Sequence, residues 1–334
     1  LTGSDRRALA RQAPAHPDAY ALYLRANQMM TEASHWQDAR ELYEQALAIA
    51  PRYAPAWAGL GRVRRVLAKW AWQGGGGLAR AQSAFAQALA LDPDLSMVYE
   101  QLAYVDVELG LAAETMARLL ERGADRPRDA RVMAGLVTSC RYAGLLDASL
   151  AAHAKAIAID PEARTTVTWT HFMRGNYPEA IRTDHTPPFC AMLSKVITGE
   201  MGSTDVRAFE EALPEGGLRV GARLYRQLID GQVEPALRDL ATMRAGGFAD
   251  PEGWFLASLF IARAGADAPA LEVLGQAVDA GFACYRTLVD GNLFPRLRET
   301  ADYKAIVERA QHRVTRARAL YERAGGPAVL GPAG

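Results

Sequence analysis

Apolar residues recur along this chain at helical spacing, and prolines interrupt them at nearly regular intervals. Ala39, Tyr43 and Ala46 fall four and three positions apart, and Ala81, Phe85 and Ala88 repeat that spacing and nearly those residue types. Such a stripe marks one face of an α-helix. Three near-copies of one helix end follow: ALAIAPRY at 46–53, ALALDPDL at 88–95 and AIAIDPEA at 156–163. Each stripe stops at a proline, which cannot continue a helix. Strand-type runs of Val, Ile, Thr and aromatics are scarce, so the pattern predicts an all-α chain.

The prolines Pro51, Pro93, Pro127 and Pro161 set the period, the last three standing 34 residues apart. Small residues at fixed places and a proline after the second helix of each unit are the tetratricopeptide pattern. The spacing predicts repeats over 20–53, 54–95, 96–129 and 130–163, with about eight extra residues between the helices of the second, around KWAWQGGGG. The third repeat has Arg122 where a small residue is expected. Residues 1–19 read as a helical lead-in from an upstream domain, and 164–216 as degenerate repeats, with HTPPFC (185–190) cutting a helix short. Helix pairs are predicted over 218–230 with 233–245 and 251–264 with 268–280, then a capping helix to Ala324 and a flexible tail over 325–334. The expected architecture is a right-handed α-solenoid of antiparallel helix pairs, irregular in the middle.

Several residues carry a resemblance to a known family. His16-Pro17-Asp18-Ala19-Tyr20 and Tyr23-Leu24-Arg25-Ala26 at the start, the long second-repeat insertion, and the closing stretch 281–310 resemble the C-terminal tetratricopeptide modules of bacterial signalling proteins. The chain departs from that pattern at Asp290-Gly291 and Ala301-Asp302-Tyr303. The resemblance implies a regulatory module attached to a serine/threonine kinase, a winged-helix regulator or a nucleotide cyclase, often after a TolB-like domain. It also implies a bacterial protein, in cytoplasm or periplasm according to what precedes Leu1.

Composition agrees with a helical chain: about one residue in five is Ala, the strongest helix former. The 38 basic and 38 acidic residues balance, which argues against direct nucleic-acid binding through an overall field. No stretch approaches the ~20 apolar residues that insert in a membrane. Cys140, Cys190 and Cys284 are too few and scattered for a disulfide framework.

Chemistry-bearing motifs are sparse. Gly74-x-Gly76-x-x-Ala79 follows a helix rather than a strand, so it lacks the context of a dinucleotide fingerprint. His171, His185 and Cys190 fit no zinc spacing. No nucleophile elbow, phosphate loop or HExxH occurs, so no catalytic residue and no cofactor is expected. Trp70 and Trp72 read as local packing, an exposed patch, or one route to a homodimer. The remaining candidate is a surface. The first helix of each repeat should line a groove through Leu24 and Gln28, Ala58, Arg62 and Arg65, Glu100 and Tyr104, and Arg131, Thr138 and Arg141. Gln28, Arg62, Arg65, Tyr104, Arg131 and Arg141 are the expected partner-binding residues, for an extended protein or peptide segment with acidic side chains or a terminal carboxylate. On this register Arg gathers in the groove and acids lie elsewhere. The alternatives are a small-molecule sensor with its pocket where the array breaks at 164–216, and a homo-oligomerisation scaffold.

Overall fold

A computed structural model describes residues 16–71, 76–183, 189–290 and 293–332. Every regular element among them is helical, and successive helices pack as antiparallel pairs. The first four pairs are α1 (Pro17–Met29) with α2 (Trp36–Ile49), α3 (Ala54–Trp70) with α4 (Gly77–Leu91), α5 (Ser96–Glu108) with α6 (Ala112–Asp125), and α7 (Ala130–Tyr142) with α8 (Leu146–Ile159). Four shorter helices follow: α9 (Val167–Met173), α10 (Tyr177–Thr183), α11 (Phe189–Thr198) and α12 (Ser203–Ala212). Regular pairs then resume with α13 (Gly217–Ile229) and α14 (Val233–Ala245), and α15 (Pro251–Arg263) and α16 (Asp267–Asp279). The short α17 (Tyr285–Asp290), the 23-residue α18 (Ala301–Arg323) and α19 (Gly326–Leu330) complete the chain.

Small residues set how closely the pairs approach. Tyr43 of α2 is fully buried and its hydroxyl donates to Asn27 Oδ1 of α1 at 2.7 Å. Its ring lies on Gly59 of α3, and Phe85 of α4 lies on Gly61 two residues on. A β-carbon at Gly61 would stand 2.5 Å from the Phe85 ring. In the third pair Arg122 occupies the place expected of a small residue. Its guanidinium is stacked 3.7 Å from the centroid of the Tyr99 ring, so a flat cation fills the slot that a methyl would have left.

The C-terminal part does not simply extend the row. Ala283 donates its N–H to the Tyr142 carbonyl at 2.9 Å, so the link between α16 and α17 meets the turn after α7. At that turn Gly144 has φ +79° and the Ala283 carbonyl lies against its α-carbon; at the turn after α5, Gly110 has the same φ and a β-carbon there would stand 2.7 Å from the Ala280 carbonyl. Both turns need a left-handed residue and leave no room for a side chain, which only glycine satisfies. The long α18 was expected to cap the end of the array. It packs on α16 and α17 but also returns to α6, where Arg316 pairs with Glu114 at 2.5 Å.

The expected flexible tail is corrected as well. Gly325 is left-handed at φ +75°, Pro327 enters the first turn of α19, and Val329 and Leu330 are buried against α6 and α8. Lys155 of α8 donates to the Val329 carbonyl. The Gly-Pro pair that suggested a frayed end is therefore a helix stop followed by a helix start. The end result is a single apolar core shared by α5–α8 and everything after them, whereas α1–α3 and α3–α5 have smaller cores of their own.

Glycine substitutions distinguish close packing from helix propensity. Gly59→Ala and Gly61→Ala should each lower stability by about 1 kcal/mol or more, because overpacking of ~1–3 kcal/mol outweighs the propensity gain. Gly221→Ala in α13, whose β-carbon meets only the edge of Trp70 at 3.9 Å, should raise stability by about 0.5–1 kcal/mol. Urea unfolding of the three variants checks both signs.

Candidate functional site

The first helices of the pairs line a cavity of about 1060 Å³, and α11, α13 and the start of α15 close it from the other side. One sequence feature shapes its interior. The extra residues in the second repeat lengthen α3 to 17 residues, against 13 for α5 and α7. The added turn carries Lys69 and Trp70 into the cavity. Trp70 is therefore a wall residue, not an exposed patch: it stacks on Phe189 at 6.4 Å between centroids and tilts against Phe248 at 5.4 Å, which in turn meets Trp254 edge-on at 5.1 Å. Trp72 and Gly74 lie outside the described residues, as does His185.

Lys69 links three parts of the chain. Its ammonium donates to Glu108 Oε1 of α5 at 3.0 Å and to Asp250 Oδ2 at 2.7 Å, 181 residues away. Asp250 is the N-cap of α15, accepting from the Glu252 N–H at 3.0 Å, and it accepts from the Tyr142 hydroxyl at 2.8 Å. One turn before Lys69, Arg65 reaches Glu108 at 3.4 Å and lies 5.0 Å from the Tyr104 ring centroid. Arg141 makes a two-pronged contact with Glu252, Nε to Oε1 at 2.7 Å and Nη2 to Oε2 at 3.1 Å, and its remaining nitrogen donates to the Thr166 carbonyl at 2.9 Å. Arg131 donates to Glu100 Oε2 at 2.8 Å, and Tyr104 donates to the other oxygen of that carboxylate at 3.3 Å.

Four of these carboxylates and four of these cations thus satisfy one another around the cavity. The expectation that acids lie away from the Arg-bearing groove is corrected here: Glu100, Glu108, Asp250 and Glu252 all line it. Desolvation is the reason, since a buried cation without a counter-charge costs several kcal/mol. Burial alone would lower the Lys69 ammonium, but Asp250 and Glu108 outweigh it and hold its pKa above the ordinary value. Burial likewise acts to raise Asp250, and Lys69, the Tyr142 hydroxyl and the Glu252 N–H together hold it below the ordinary carboxylate range.

Of the expected groove residues, Arg62, Arg65, Tyr104, Arg131 and Arg141 come together in this lining. Gln28 does not: it is exposed on α1, and the lining begins only at the Met30–Ser34 turn. Ala58 is also displaced, being fully buried in the core between the second and third pairs. The pocket expected at the break in the array is the same cavity, because Thr165, Thr166, Trp169, Phe189 and Leu193 line it too. The sequence register missed Lys69, Gln101, Asp250 and Glu252. Lys69 and Trp70 were legible only as an insertion, and no local pattern ties Asp250 to Lys69.

Elsewhere the chemistry is quiet. Cys140, Cys190 and Cys284 are all buried and form no disulfide, and burial pushes Cys284 up to about 12. Among the described residues no group of three His, Cys, Asp or Glu side chains is placed to hold a metal ion, and no helix is long and apolar enough to cross a membrane. No protein-family model matches the chain, and no curated protein matches it.

Removing Lys69 leaves Asp250 without a cation, whereas removing Asp250 leaves Lys69 with Glu108 alone. Lys69→Met should destabilise by about 3–5 kcal/mol and Asp250→Asn by less, and the double variant by clearly less than the sum. Asp250 is depressed, so its contribution is present above the unfolded carboxylate value and lost as pH falls. Lys69 is raised, so its share is present below the unfolded ammonium value and lost as pH rises. The gap in melting temperature between wild type and Asp250→Asn should therefore be flat from about pH 5 to 9 and close below about pH 4. Thermal melts across that range measure it.

Proposed function

We propose that the chain is a non-catalytic recognition module of tetratricopeptide type that takes an extended protein segment into its cavity. The observation that carries this reading is the internal pairing of the cavity's charges. A catalytic site holds titratable groups ready to exchange protons or attack a substrate, whereas Lys69, Arg65, Arg131 and Arg141 are each engaged by a carboxylate. What the cavity offers a partner is shape and an aromatic wall: Trp36, Trp70, Phe189, Phe248 and Trp254 line one side. Aromatic and Arg positions in desolvated pockets are where binding energy concentrates in protein recognition. The volume stands at the upper end of the ~300–1,000 Å³ of ligand pockets, which leaves room for a peptide segment.

As a module the chain would govern an attached signalling domain, in line with the family it resembles. A small-molecule sensor is the second reading, favoured by the closure of the cavity by α13 and α15 from a distant part of the chain. Such closure gives a ligand walls from both parts of the chain.

Gly221 provides the test. It lines the cavity beside Trp70, and a β-carbon there meets only ordinary contact, so Gly221→Leu should narrow the cavity beside Trp70 without lowering stability. Pools of random nonapeptides passed over the immobilised chain should be retained by wild type and at least tenfold less by Gly221→Leu. Equal retention, or none by either, would remove the cavity as a peptide site. Stabilisation of wild type but not of the filled variant by a metabolite set in thermal melts would move the reading to a small-molecule sensor.

A further inference from the structure

One rung of the cavity's polar ladder is unmatched. Lys69 meets Glu108 and Arg65 meets Tyr104, both across 39 residues, which fixes α3 and α5 in parallel register. The same offset sets Gln101 opposite Arg62, one turn nearer the start of both helices, and both residues line the cavity. Arg62 makes no hydrogen bond or ion pair among the described residues, in contrast to the four paired cations of the lining. Gln101 is only 6% exposed, and its Oε1 has no hydrogen-bond partner. A buried acceptor without a donor costs about 1–3 kcal/mol, so the pair is a standing demand for a ligand that brings both an anion and an N–H.

We infer that Arg62 and Gln101 form the specificity site of the cavity and recognise an acidic residue of a bound peptide, Arg62 donating to the side-chain carboxylate and Gln101 accepting a backbone N–H. This rests on the peptide reading given above. An ionised fatty acid offers acceptors only and would leave Gln101 unsatisfied; a peptide supplies both groups at once. The remainder of the ligand follows from the wall. Arg62, Val66 and Trp70 stand four apart on one face of α3, and all three line the cavity. Eight residues of helix span about 12 Å, and an extended strand covers that distance in about four residues, which returns side chains to the same face. The motif expected is an Asp or Glu with an apolar or aromatic residue four positions away, the latter against Trp70 and Phe248.

The experiment uses the full chain and three nonapeptide pools: Glu-x-x-x-Phe in both orders, the same with Gln for Glu, and Glu-x-Phe. Retention is read by sequencing the bound fraction on wild type, Arg62→Gln, Gln101→Met and Arg164→Gln. Wild type should retain the Glu-x-x-x-Phe pool at least tenfold over the other two. Arg62→Gln should erase the preference for Glu over Gln while keeping that for Phe, and Arg164→Gln, at the exposed rim of the cavity, should change neither. Gln101→Met, which removes the orphan acceptor, should melt no lower than wild type and bind the acidic pool several-fold more weakly. Equal retention of the Glu and Gln pools, or an acid preference that survives Arg62→Gln, overturns this assignment while leaving the cavity a peptide site. Retention of every pool no better than by Gly221→Leu overturns the peptide reading itself.

Discussion

A largely buried lysine ammonium must find negative charge, and Lys69 finds it on two helices that the chain order keeps far apart. Glu108 belongs to the neighbouring pair, while Asp250 begins a helix of the C-terminal part. The rest of the cavity follows from that demand. Asp250 draws the hydroxyl of Tyr142 and fixes the first turn of α15, which sets Glu252 against Arg141. Arg141 then holds Thr166 at the start of the short helices. A set of helix pairs becomes an enclosure because its buried charges can be neutralised only by closing.

The backbone geometry supports the same closure independently. Where the C-terminal part meets the turns after α5 and α7, the contact is main chain on main chain, with glycine on one side. Such an approach leaves no side chain to be squeezed and no slack. It fixes the distance at which Lys69 and Asp250 can meet, and the shared apolar core of α5–α8 with the later helices supplies the free energy that side-chain charges alone would not.

Local features were legible in the sequence, and distant ones were not. The prolines and the Ala-large-Ala stripes mark where α3, α5 and α7 begin, though α1 starts at Pro17 rather than at 20, since both express constraints acting inside one turn or between adjacent helices. The groove positions Arg62, Arg65, Tyr104, Arg131 and Arg141 followed from the same register. Asp250 and Glu252, by contrast, are ordinary helix-start residues until the chain has closed, and nothing within their own segment speaks of Lys69. The tail was misjudged for a related reason. Gly-Pro is written identically for a frayed end and for a stop followed by a start, and only the surface waiting on α6 and α8 for Val329 and Leu330 decides between them.

The separate core of α1 and α2 has a mechanical meaning. That pair packs on α3 and, through Ala33 and Trp36, on the small cluster of Leu213, Leu218 and Ala222, and shares little of the large apolar core that unites α5–α8 with the later helices. Opening free energies follow buried contact locally, so the first pair is the part of the chain that can swing away at least cost. It also carries the Met30–Ser34 turn and Trp36, which form one edge of the cavity. The molecule is thus stiff where its charges interlock and compliant at one rim.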